Sequence, residues 1–281
     1  MGLGCALENL ALACRARGLQ PTIGLLPDGP SGSRVAHVAL TPAGRRGSPL
    51  YDAIGRRHTN RGPYSRRPVA AGIVTALVDT GGLPGVTVHW VTDPAKMAAL
   101  GRLLIAAAAA VTHDEQQSRD SFAWFRGNND AVQRHRDGRT LDAQGMSPLV
   151  LSIAKLLLAS SRSAGDKFWV DQTRTVQTRT AAAYGILTAA DPEDRATQLL
   201  AGRLLQRVHL TATSRGVALQ RMNQITERID REQVTGAPAT FGPRFAGFLP
   251  PDAHPLAAFR VGYPTRDARR SPRRPVTAVT R

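Results

Sequence analysis

The chain has 281 residues, 42% of them hydrophobic, enough for one large domain or two ordinary ones with a sizeable core, and too apolar for a disordered protein. Its 37 basic residues outnumber 21 acidic ones for a formal charge of +16, but only Lys96, Lys155 and Lys167 are lysines, a skew that looks more like GC-rich codon usage than selection for a basic surface. The longest apolar run, Leu103 to Val111, is less than half a membrane span, the N-terminus lacks a basic n-region, and two cysteines make no disulfide framework, so a soluble, cytoplasmic protein is expected.

Residues 3–18 read as a helix, with Leu3, Leu7, Leu10 and Cys14 at helical spacing and Gly18 where a C-cap belongs. A strand is expected at about Arg34–Thr41, after the turn-rich P-D-G-P-S-G-S. Ser48-Pro49 opens a helix through Arg57, and helix is expected again near Ala70–Thr80. Val86–Thr92 alternates as a strand does. Asp93-Pro94 caps an Ala-rich helix to about His113, and a charged helix continues through Arg126. The polar stretch Gly127–Ser147 reads as a long loop or lid, and helical patterning resumes over Pro148–Ser160. Ala182–Ala189 reads as a strand, Pro192–Ser214 as a helix with Glu193 and Asp194 in its first turn, and Leu256–Tyr263 as the last strand. The tail from Arg266 is Arg- and Pro-rich and reads as extended. Trp90, Trp124 and Trp169 are expected in the core.

An internal similarity joins the two ends of the chain. L-E-N-L-A-L-A-C-R-A-R-G-L at 7–19 aligns with L-Q-R-V-H-L-T-A-T-S-R-G-V at 205–217. Leu7 matches Leu205, Leu10 matches Val208, Leu12 matches Leu210, and Arg17-Gly18 matches Arg215-Gly216. The alternative is that any two amphipathic helices look alike. A true repeat makes 1–47 the remnant of a first half that has lost its front, and 48–281 the second half.

The stretch Ile54-Gly-Arg-Arg-His-Thr-Asn-Arg-Gly-Pro-Tyr64 gathers Arg56, Arg57, His58 and Arg61 around Thr59 and Asn60. Guanidinium forks and a hydroxyl suit a phosphate, although a helix C-terminus favours basic side chains without any ligand. Other motifs fall away. Arg134-His135-Arg136-Asp137 contains H-R-D without the Gly-rich loop or D-F-G of a kinase. Gly2-x-Gly4 has no preceding strand, His113-Asp114-Glu115 lacks a further ligand at metal spacing, and no Ser or Cys has motif support as a nucleophile.

R-H-T-N-R followed by an aromatic resembles the opening motif of the FMN-dependent nitroreductases. The resemblance implies that Arg57, His58, Thr59 and Arg61 contact the flavin phosphate and ribityl chain. A-A-Y-G-I-L-T-A-A-D at 182–191 resembles the family's central strand. The helix at 192–214, ending T-S-R-G-V-A-L-Q, resembles the one leading to the flavin N5, near which Asn223 and Gln224 fall. F-R-V-G-Y-P at 259–264 and S-P-R-R-P at 271–275 resemble the closing strand and terminal basic contact, which points to Arg273 and then Arg274 as phosphate ligands. With the repeated helix, the chain is similar to the twin-type, Acg-like branch, in which two nitroreductase-like halves are fused.

The implied fold is α+β, with a central, mainly antiparallel sheet flanked by helices and fused pseudo-repeat halves, the first incomplete. The implied activity passes hydride from NAD(P)H through FMN to an electron-poor acceptor such as a nitroaromatic or quinone, with no side chain required as acid or base and no metal. A small-molecule acceptor is the expected partner, with no specific nucleic acid and no membrane, in a monomer or homodimer. The family's S-x-x-N-x-Q-P-W segment is absent near position 85 and normally lies upstream of the first helix in twin members. Met1 thus reads as a late start, and the chain is expected to hold FMN poorly. The rivals are a non-catalytic flavin-binding or flavin-less protein of this fold, or a basic nucleic-acid-binding protein using Arg260, Arg266, Arg269, Arg270, Arg273, Arg274 and Arg281.

Overall fold

The computed structural model describes residues 1–65, 67–80, 82–157 and 161–280. The chain opens with helix α1 (Gly2–Ala16) and a hairpin of β1 (Leu19–Leu25) and β2 (Ala36–Pro42), followed by α2 (Pro49–Ile54) and α3 (Ala71–Val78). Next come β3 (Val86–Val91), α4 (Pro94–His113), α5 (Glu115–Ala123), β4 (Phe125–Arg126), α6 (Asn129–His135) and β5 (Arg139–Thr140). A 3₁₀ turn (Leu141–Gln144) leads to α7 (Pro148–Leu157), then α8 (Arg162–Gln172), which runs on into a π turn at Thr173–Gln177. The remainder is β6 (Ala183–Ala189), α9 (Arg195–Ser214), β7 (Ala218–Arg221), α10 (Gln224–Thr235), α11 (Phe241–Ala246) and β8 (His254–Gly262).

The central sheet has the order β3-β6-β8-β7, and every pairing in it is antiparallel. All seven residues of β6 are buried, so this strand has no solvent face and reads as a continuous run rather than an alternation. One face packs Leu187, Phe259 and Val261 against Leu204, Leu205 and Val208 of α9 and Leu77 of α3. The other packs Tyr184, Ile186 and Ala258 against Leu100, Leu103 and Leu104 of α4 and Ile225, Phe241 and Phe245 beyond. Helices thus cover both faces, the α+β architecture expected. By length and composition α4 is apolar enough to cross a membrane, but its leucines at 100, 103 and 104 lie in this core.

α1 and α9 lie side by side and run parallel: Cys5 Sγ meets the Gly202 carbonyl, Asn9 accepts from Gln206, and Leu12 packs on Leu210. Their crossing is reciprocal. A Cβ on Gly4 would stand 2.1 Å from the Leu199 carbonyl oxygen, and one on Gly202 would stand 2.0 Å from the Met1 carbonyl oxygen. Gly4 and Gly202, like Met1 and Leu199, are 198 positions apart, so each half of the contact is the image of the other. That is the signature of a two-fold, self-complementary interface. The helix ends match too: Arg17 and Arg215 both have φ −101 and ψ 8, and Gly18 and Gly216 both take positive φ before a strand. Beside the crossing, buried Glu8 accepts from Arg203 at 2.9 Å and Arg207 at 2.7 Å.

Several expectations shift. β1 was not expected, because Pro21 and Gly24 interrupt its alternation, which only an edge strand tolerates. α8 was likewise unforeseen. The stretch read as a loop or lid carries α6, β5 and the 3₁₀ turn. α9 begins three residues later than read, because Asp194 is its N-cap, accepting from the Ala196 and Thr197 amides, while Asp191 caps the turn before it. Residues 158–160 of the expected helix over 148–160, and Arg281, lie outside the described residues. α2 ends at Ile54, so Arg57 stands in a loop rather than on the helix.

Gly202→Ala or Gly4→Ala would press a methyl onto a backbone carbonyl that cannot swing aside. Each is expected to destabilise the protein by roughly 1–3 kcal/mol, read as a lower urea midpoint with an unchanged m-value.

Candidate functional site

Gly55–Tyr64 has no regular structure, so side chains must fix its path. Asn60 is buried, with its Nδ2 donating to the Arg266 carbonyl and its Oδ1 accepting from the Gly62 amide, both at 2.9 Å. The Tyr64 hydroxyl donates to the Asn60 carbonyl at 2.7 Å, and burial pushes its pKa up to about 12. Beneath lies Arg260 of β8, fully buried, with its guanidinium 3.9 Å from the Tyr64 ring centroid. It donates to Gln220 Oε1, the Gln177 and Gly62 carbonyls and Thr180 Oγ1 at 2.7–3.0 Å. Burial lowers its pKa from the ordinary value. Arg260 is therefore an internal strut and offers no surface to nucleic acid.

From the other side α9 presents His209. Its Nδ1 accepts from Arg57 Nη1 at 3.4 Å, and its Nε2 donates to the His58 carbonyl at 3.2 Å, which fixes the neutral tautomer. Burial first, then the Arg57 charge, lowers its pKa to about 3.

The loop forms one wall of a cavity of about 400 Å³ that gathers Arg57, His58, Thr59, Arg61, Arg273 and Arg274. All the phosphate-contact residues expected from sequence are thus brought together. The tail reaches them because Arg270 donates to the Gly55 carbonyl at 2.6 Å, Arg269 pairs with Asp142 at 3.2 Å, and Arg274 pairs with Asp137. Arg126 and Arg274 hold Asp137 well below the usual carboxylate range. Burial, with Arg139 and Arg221 nearby, brings Arg61 down to about 10, and burial with Arg273 lowers Arg57.

A second cavity of about 670 Å³ shares Arg61, Gly138 and Arg221 with the first, and its wall includes Asn223, Gln224, Gln177, Trp124 and Trp169. Asn223, the remaining expected residue, is therefore next door to the basic cluster rather than in it. Two side-chain atoms on these walls, His58 Nε2 and Asn223 Oδ1, are buried without a hydrogen-bond partner. Such orphans call for a ligand or water. His58 Nδ1 lies 2.9 Å from the Arg56 carbonyl, so it carries the proton and leaves Nε2 as an acceptor. Arg136, Arg139, Arg221, Gln177 and Gln220 were missed from sequence; only the H-R-D triplet had drawn notice to Arg136. Trp124, expected in the core, is 58% exposed and lines the second cavity, because its helix ends there and turns it outward.

No protein-family model matches the chain, and no curated protein matches it. Among solved structures, it is similar to the FMN and NADPH-dependent nitroreductase NfnB from Sphigopyxis sp. strain HMH, at 16% identity and a TM-score of 0.51. It is also similar to the FMN-dependent nitroreductase NfnB from Mycobacterium smegmatis, solved in complex with NADPH, at 16% identity and a TM-score of 0.50. In both cases the match covers 83% of this chain and 97% of the other. The fold is nitroreductase-like. The two clefts run from the Gly55–Tyr64 loop to the end of β7 at Gln220 and Arg221.

His209 gives the folded state a pH dependence. Its folded pKa lies below its unfolded one, so the unfolded chain binds the extra proton between about pH 6.5 and 3. Stability is full above about 6.5 and falls toward 3, by up to about 1.4 kcal/mol per pH unit. His209→Gln is expected to flatten the acid limb of a urea-midpoint-against-pH curve; an unchanged slope would show that His209 titrates normally.

Proposed function

We propose that the chain is an FMN-dependent oxidoreductase that passes hydride from NAD(P)H to an electron-poor small molecule such as a nitroaromatic or quinone. One observation carries the reading: a basic cavity shares Arg61, Gly138 and Arg221 with a wider one whose wall includes amides and tryptophans, and each has an orphaned buried polar atom on its wall. That is the polarity of a flavin mononucleotide, charged at one end and planar at the other. The FMN dependence of both neighbours supports it, as do the NADPH dependence of one and the NADPH bound to the other.

Arg57, Arg61 and Arg273 would hold the phosphate by charge-assisted hydrogen bonds, with Thr59 as hydroxyl donor and Arg274 behind them. His58 Nε2 would accept from a ribityl hydroxyl, and Asn223 Oδ1 from an N–H at the ring edge. His209 keeps Arg57 aimed and takes no part in proton transfer, being locked neutral. When bound, the flavin supplies the hydride chemistry, and the chain's own residues bind, orient and exclude water. The reciprocal α1–α9 contact supports a twin-type organisation, with residues 1–47 as counterpart of the helix and strand at 195–221.

Arg57→Ala is expected to weaken FMN roughly 10- to 150-fold, the equivalent of about 1.5–3 kcal/mol, while riboflavin, without a phosphate, is hardly affected. Equal losses for both in a fluorescence titration would take Arg57 off the phosphate. Flavin released by heat from protein purified without added cofactor measures occupancy, and bleaching of the bound flavin by NAD(P)H reports hydride transfer. A non-catalytic flavin protein would stay yellow.

A further inference from the structure

The basic cavity carries more positive charge than one phosphate monoester can balance. Besides Arg57, Arg61, Arg273 and Arg274, it is lined by Arg136, Arg221, Arg269 and Arg270. Among the described residues, only Arg269 and Arg274 have carboxylate partners, Asp142 and Asp137. Six guanidiniums therefore face a cavity of about 400 Å³ without a counter-charge of their own, and the one carboxylate on its wall, Asp137, is already taken by Arg126 and Arg274; a phosphate monoester brings about −1.5 to −2. A single flavin phosphate would leave most of this charge unanswered.

The surplus is placed rather than scattered. Arg57 and Arg61 are part-buried where they line it, while Arg136 and Arg270 are exposed. Arg270 is tethered through Nη1 to the Gly55 carbonyl, the C-cap of α2, which holds its remaining N–H donors at the cavity. The Arg136 guanidinium has no hydrogen-bond or ion-pair partner among the described residues, and the residue ends α6 in the left-handed conformation, φ 50 and ψ 34, its amide donating to the Val132 carbonyl. That position is usually left to Gly or Asn, because a side chain there is strained. Strain of this kind persists where surrounding structure over-determines it, often at a ligand clamp. Here it sets an unpaired guanidinium on the cavity that Arg270 of the tail also lines.

We propose that the cleft holds two phosphate groups: one on Arg57, Thr59, Arg61 and Arg273, and a second at its outer end on Arg136 and Arg270. The second belongs to a nucleotide, either as the further phosphate of a flavin diphosphate or as a phosphate on a separate molecule bound beside the flavin. Only the identity of the inner phosphate rests on the flavin reading above; the outer subsite stands on its own residues.

The test titrates inorganic pyrophosphate by calorimetry into the whole chain, free and saturated with FMN, with FMN binding followed separately by its absorbance. The FMN-loaded protein is expected to bind pyrophosphate. The Arg136→Ala/Arg270→Ala double variant should bind it at least tenfold more weakly, since each lost charge-assisted contact is worth about that much. Arg57→Ala should weaken FMN more than it weakens pyrophosphate in the loaded protein. FAD distinguishes the two sources. If it binds more tightly than FMN and the double variant abolishes the advantage, the second phosphate is part of the flavin ligand. If FAD and FMN bind alike while pyrophosphate still enters the loaded protein, it comes from a separate molecule. Pyrophosphate that only displaces FMN, or binds the double variant as well as wild type, overturns the proposal. A chain that takes no FMN yet binds pyrophosphate through Arg136 and Arg270 would sink the flavin reading and keep this one. A chain that binds neither sinks both.

Discussion

The Arg260 guanidinium holds the site to the sheet. It is removed from water with no carboxylate to balance it, a placement that costs several kcal/mol unless every donor finds a partner. Its acceptors come from four separate segments: β7 through Gln220, the π turn through Gln177, the following loop through Thr180, and the Gly55–Tyr64 loop through Gly62. The Tyr64 ring covers its face. Because a guanidinium fork has fixed geometry, these segments cannot drift independently. Gly262 completes the arrangement, since a Cβ there would press within 2.7 Å of the Tyr64 ring. Gln177 and Gln220 also form part of the second cavity's wall, so the same cation that positions the basic loop sets the floor of the neighbouring cleft.

α9 links the rest. One side of it packs into the core beneath the central sheet, another receives α1 across paired glycines, and between them His209 reaches the Gly55–Tyr64 loop. Basic residues from α2's exit, from α6's end and from the tail meet because this helix and Arg260 fix the loop between them. The charge is large, but its arrangement matters more than its sum. Cations spread over a surface are hydrated and nearly independent; these line one concavity.

Much of this was legible in the sequence where local pattern is strong. The run Ala182–Ala189 became the fully buried strand β6, the Asp93-Pro94 start became α4, and the Arg-Gly pairs closed α1 and α9 as read. The R-H-T-N-R loop and the S-P-R-R-P tail, more than 200 positions apart, do share a cavity, as their resemblance implied. What was missed depends on long-range pairing. β1 exists because β2 pairs with it, despite its proline. Arg136 and Arg221 become site residues only when the chain returns. Gln177 and Gln220 are ordinary amides until Arg260 is buried between them. Trp124 reads as core by type and is not, because α5 ends beneath it.

The reciprocal glycine crossing also constrains how the chain reaches this state. α1 is made well before α9, whose partner surface appears 198 residues later, roughly 10–40 s at ordinary synthesis rates. Until then Leu12 has only the α2 side of its cluster, and the glycine notch at Gly4 lacks its partner helix. Closing so long a loop slows folding, since its entropy must be lost before any contact repays it. α1 can therefore dock only after α9 has been made, and only then can Glu8 enter its nearly dry setting between Arg203 and Arg207.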